Sequence, residues 1–69
     1  MSATITLTVN GETRRSEART IAALVREIGL KAHKVAVERN GVIVPRSTLE
    51  EAPLGDGDVL EIVTFVGGG

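Results

Sequence analysis

Two Asn-Gly steps, at residues 10–11 and 40–41, constrain this chain more than any other feature. Asn-Gly tolerates the positive φ angles of the tight turns that match the twist of antiparallel strands. What flanks the first step fits a hairpin. Thr4 to Val9 read T-I-T-L-T-V, which places Ile5, Leu7 and Val9 on one face and three threonines on the other. Glu12 to Ser16 should therefore return antiparallel. The second step separates Lys34–Arg39 (KVAVER) from the apolar run Val42, Ile43, Val44, which predicts a second hairpin ended by Pro45.

Between the hairpins the period changes. Ile21, Leu24, Val25 and Ile28 recur at i, i+3, i+4 and i+7, one apolar stripe of a short helix. Thr20 is placed to cap its first turn, Gly29 to take the left-handed position past its last turn, and Leu30 to supply the accompanying apolar contact. Arg46 to Gly57 reads as a polar connection with one helical turn around Thr48–Ala52 and a tight turn at Gly55-Asp56-Gly57-Asp58. Val59 to Val66 (VLEIVTFV) is then the last strand. Leu60 and Ile62 face its core, and Val59, Glu61, Val63 and Phe65 face water. The expectation is an α+β fold, a mixed sheet of about five strands with one helix packed across it. Residues 1–66 would form one domain and 67–69 a flexible glycine tail.

Composition narrows the function. The 69 residues include no cysteine and one histidine, which leaves no thiol chemistry and little to hold a transition metal. A core this small needs nearly all its apolar side chains, so a deep active-site pocket would hollow it out. His33, beside Lys31 and Lys34, reads as an exposed loop residue. Asp56 and Asp58 read as ordinary turn carboxylates, without the spacing of a calcium loop. The net charge of −1 argues against a phosphate-neutralising nucleic-acid binder. No apolar run approaches a membrane span, and the alternating N-terminus is unlike a secretion signal, so a cytoplasmic location is expected. The charge is uneven, because residues 35–69 hold Arg39 and Arg46 against Glu38, Glu50, Glu51, Asp56, Asp58 and Glu61.

The sequence closes on FVGGG, with no helix after the glycines to make a phosphate loop. Glycine lacks a Cβ and lets the backbone thread a narrow site. Val66 to Gly69, fully extended, would reach roughly 13 to 14 Å. A terminal carboxylate delivered in this way is unreactive until another enzyme activates it, most simply as an acyl-adenylate. The chain would then be a carrier and catalysis would lie elsewhere.

Four segments carry a resemblance: NGE at 10–12, TIAAL at 20–24, VAVERNGVIVPRS at 35–47 and GDVLEIVTFVGGG at 57–69. With them the chain resembles the ThiS family, ubiquitin-like β-grasp sulfur carriers of thiamine biosynthesis. The resemblance implies that Gly69 is adenylated and converted to a thiocarboxylate, with Gly67 and Gly68 as the threading tail. It implies a ThiF-like adenylyltransferase that uses ATP, a sulfur-donating protein and a ThiG-like thiazole synthase as partners. The chain itself would bind no cofactor and catalyse nothing. Val63, Phe65 and Val66 are candidates for an apolar partner surface, with Glu61 and Arg46 at its rim. For Phe65 a place over the edge of the core is the other reading. The small subunit of molybdopterin synthase and tRNA-thiolation carriers share the tail chemistry, and a β-grasp interaction module with an irrelevant tail is an alternative of another class.

Overall fold

The computed structural model describes residues 3–65. The strands are β1 (Ile5–Val9), β2 (Glu12–Ser16), β3 (Val35–Arg39), β4 (Val42–Val44) and β5 (Val59–Thr64), and the helix is α1 (Ile21–Ile28). They form one sheet in the order β2-β1-β5-β3-β4. β1 runs parallel to β5, and the other three pairs are antiparallel. The last strand in the chain is thus the middle strand of the sheet.

Both hairpins close as the Asn-Gly steps require. Asn10 and Gly11 have φ of 50° and 84°, and Asn40 and Gly41 of 53° and 83°. The asparagine side chains do more than tolerate the turn. Asn10 Oδ1 accepts from Ile62 N–H at 2.7 Å and its Nδ2 donates to Ile62 O at 3.0 Å, so a side-chain amide extends the β1–β5 ladder past the end of β1. Asn40 Oδ1 accepts from Val59 N–H at 2.9 Å on the other side of the same strand. Each turn is therefore pinned to the central strand.

The helix has the expected ends. Thr20 Oγ1 accepts from Ala23 N–H at 3.2 Å. Gly29, at φ 100°, donates to Arg26 O, and Leu30 N–H reaches back to Val25 O, the paired bonds of a Schellman cap. Two further first-turn amides find acceptors in the connection before β5: Ile21 N–H donates to Ala52 O and Ala22 N–H to Leu49 O, both at 3.0 Å. The three first-turn amides of Ile21, Ala22 and Ala23 thus all have acceptors, and Leu24 N–H to Thr20 O begins the intrahelical ladder.

Ile21, Ala22, Leu24 and Val25 of the helix are buried against Leu7, Val35, Val37, Leu60 and Ile62 of the sheet. Leu49 completes this core at 1% exposure, which corrects the expectation of a purely polar connection from Arg46 to Gly57. The helical turn expected over Thr48–Ala52 is a 3-10 turn at Arg46–Thr48, and Ala52 N–H then closes back on Thr48 O at 2.8 Å. That turn swings Leu49 under the helix.

Asp58 is the second correction. It is an ordinary turn residue by sequence, but its carboxylate is buried and accepts from Arg39 Nε at 2.8 Å, Gly55 N–H at 2.8 Å and Asn40 Nδ2 at 3.1 Å. Burial alone would raise the Asp58 pKa. The bonds from Arg39, Gly55 and Asn40 outweigh it and hold the carboxyl below its ordinary value. A carboxylate more acidic in the folded state stabilises the fold above its unfolded pKa, and that contribution disappears as pH falls through the folded value. The melting temperature is therefore expected to drop below about pH 4, and Asp58→Asn should flatten that part of the acid limb. A melting series from pH 7 to pH 2 on both proteins checks this.

Candidate functional site

One face of the sheet carries the helix and the other is open. Strand alternation puts Leu60 and Ile62 inward and Val59, Glu61 and Val63 outward, as the sequence predicts. The outward residues are well exposed, Val63 at 60% and Val59 at 46%. β5 stops at Thr64, one turn of alternation short of the Val59–Val66 span expected. Phe65 N–H still donates to Lys34 O at 2.8 Å, so its backbone remains tied beside β3.

The side chain of Phe65 is 48% exposed, which decides between the two readings of it. It does not fold into the core. Its ring instead lies under the Arg46 guanidinium, whose central carbon is 5.4 Å from the ring centroid. Such a contact at an exposed site contributes about 0.5–1 kcal/mol. The structure thus brings Arg46 and Phe65 together where the described chain ends. Val66 and the three glycines, Gly67, Gly68 and Gly69, lie outside the described residues.

Glu61 stands elsewhere on the face, directly opposite Glu38 of β3, and Val63 stands opposite Ala36. On the far side of Glu38 the partner residue is Ile43 of β4, 73% exposed. Ala36, Glu38, Ile43, Glu61 and Val63 line a shallow hollow of about 140 Å³. That is below the roughly 300–1,000 Å³ of small-molecule sites. Sequence reasoning identified Val63 and Glu61 but missed Ile43, Ala36 and Glu38. Alternation in KVAVER and VIV gave their faces, while the register that joins them to β5 is a long-range fact.

Among the described residues no three His, Asp or Glu side chains are grouped to hold a metal. His33 is exposed in a 3-10 turn, and Asp56 Oδ1 accepts from Thr6 N–H at 2.8 Å. The two turn carboxylates are thus engaged within the fold, Asp56 with the backbone of β1 and Asp58 with Arg39. No helix among the described residues is long and apolar enough to cross a membrane. What the site offers is a surface: an aromatic capped by an arginine, an apolar strip and two facing carboxylates.

A five-stranded mixed sheet grasping one helix, with β5 at its centre, defines a ubiquitin-like β-grasp domain. The chain belongs to the ThiS family, whose model matches residues 5–69. It is 36% identical over 61 residues to "Sulfur carrier protein ThiS" of Thermus thermophilus, covering 88% of this chain and 95% of that one. The crystal structure of a thiamine biosynthesis protein (ThiS) from Geobacter metallireducens superposes with a TM-score of 0.77 at 30% identity, covering 94% of this chain and all of the other. The chain is also 52% identical over 64 residues to "Thiazole synthase" of Paramagnetospirillum magneticum. That match covers 91% of this chain, which spans only 20% of the longer protein.

Proposed function

We propose that this protein is a sulfur carrier for the thiazole ring of thiamine, with the sulfur held as a thiocarboxylate on Gly69. Family membership, in a match that runs through Gly69, supports this most strongly. The chemistry balances in two steps. A ThiF-like enzyme joins the Gly69 carboxylate to the AMP part of ATP, releasing pyrophosphate. A persulfide sulfur of a donor protein then attacks the acyl carbon and expels AMP; reductive cleavage of the S–S bond by a thiol leaves the C(=O)S⁻ group on Gly69. Gly67 and Gly68 have no side chains to obstruct entry into either active site. The chain has no cysteine of its own to attack the activated ester.

The partners in this account are the adenylyltransferase, the sulfur donor and a ThiG-like thiazole synthase. The relative named for thiazole synthase supports the last of these, because that protein contains a stretch similar to this entire domain. Growth tests the function: expressed in a strain lacking its own carrier of this family, the chain should restore growth without added thiamine. Failure there, with restored molybdopterin or tRNA thiolation in strains lacking those carriers, would reassign the acceptor.

Phe65, exposed beside the tail, is the aromatic anchor of the partner surface, and Val63 extends it. Arg46 holds the ring, and Glu61 lies on the same face, on the central strand two residues before Val63. Phe65→Ala is expected to weaken adenylyltransferase binding tenfold or more, in the range of an interface aromatic, while costing the fold only about 0.5–1 kcal/mol. Calorimetric titration beside thermal melting separates the two effects. A large drop in melting temperature with unchanged binding would assign Phe65 to folding.

A further inference from the structure

Glu38 and Glu61 face each other across β3 and β5 on the open side of the sheet. Directly opposed like charges destabilise an antiparallel pair. Among the described residues the ion pairs are Arg14–Glu27, Arg26–Glu50 and Arg39–Asp58, and neither glutamate takes part in one. Around the carboxylates stand Ile43, Ala36 and Val63, exposed apolar groups that water solvates poorly. The hollow they line is too small for a cofactor and suits the tip of one side chain.

Building on the sulfur-carrier reading, we propose that this hollow is a socket for one arginine or lysine presented by the thiazole synthase that receives the sulfur. Charge complementarity selects the occupant: two carboxylates present several acceptor oxygens to a guanidinium fork or an ammonium, and the apolar collar excludes water from the contact. The same collar strengthens the electrostatic attraction once the surfaces meet. In the free protein the pair costs stability, and in the complex the bound cation relieves it. Substituting either glutamate should therefore move folding and binding in opposite directions, which a merely solvated sheet face would not do.

The experiment uses the full chain and the thiazole synthase of the same organism, with titration calorimetry at 50 and 300 mM salt and thermal melting alongside. Glu38→Gln and Glu61→Gln should each raise the melting temperature by about 2 to 4 °C. Each should weaken binding about tenfold and reduce its salt dependence. Glu61→Lys, which places a cation inside the socket, should stabilise the free protein further and weaken binding more than Glu61→Gln does. Glu51→Gln, an exposed acid outside this face, removes the same charge and should leave the affinity unchanged. If the Glu38 and Glu61 variants bind like Glu51→Gln, the socket is wrong. A wild-type chain that is adenylated by its activating enzyme yet does not bind the synthase overturns the occupant while the carrier reading stands. If the chain is neither adenylated nor bound, the carrier reading fails and the socket with it.

Discussion

Deleting Gly68 and Gly69 is expected to abolish growth without added thiamine in a carrier-deficient strain while leaving the melting temperature within about a degree of the parent. The two halves of this result come from different parts of the molecule. Stability resides in the core between α1 and the sheet, and no described residue of that core follows Ile62. Activity, in this account, resides in one carboxylate and in the bare backbone that delivers it. A truncated chain still has a carboxylate, now on Gly67, but about 7 Å short of its former reach. Acyl activation needs the reacting atoms within about 3 to 3.5 Å of each other, so a shortfall of that size leaves no residual rate to measure. Growth of the truncated strain would show that the tail is dispensable and that the domain works through its surface alone.

The second large effect concerns the fold. Leu24→Ala should cost about 2–5 kcal/mol, because Leu24 is fully buried and its loss leaves a cavity beneath the helix. A 69-residue domain has roughly 3–10 kcal/mol of stability in total. The variant should thus melt at least about 8 °C lower, at about 4–8 °C per kcal/mol, and at the upper end of the range it should be unfolded at 37 °C. Ile43→Ala is the control. Ile43 is as apolar as Leu24 but exposed, and it should change the melting temperature little. Equal losses from the two substitutions would mean that the open face is packed against something in the free protein.

These contrasts trace what the sequence made legible. The hairpins and the helix ends were readable because their determinants are local: Asn-Gly sets its own φ angles, and Thr20 and Gly29 act within one turn of themselves. Leu49 was not, since a single leucine in a polar stretch has no period, and its burial depends on the carbonyls that Leu49 and Ala52 offer to the helix start. Asp58 was missed for a related reason. Its partner Arg39 lies 19 positions earlier and meets it only once β3 pairs with β5.

The site divides along the same line. Alternation assigned Val63 and Phe65 to the outer face, and the ThiS-like ending singled out the glycines. Register decided the rest, since a strand's own pattern cannot say that Glu61 will meet another glutamate. The position of Phe65 turned on Arg46, a residue of the intervening connection, whose guanidinium covers the ring and leaves it half exposed.

The central claim, that Gly69 carries the sulfur, is tested most directly by the mass of the C-terminal peptide after incubation with the adenylyltransferase, ATP and a sulfur donor. The expected peptide ends at Gly69 and is heavier by one oxygen-to-sulfur exchange, with the change confined to that residue and absent when ATP is omitted. A peptide of unchanged mass, or a modification mapped to Lys31 or Lys34, would contradict it.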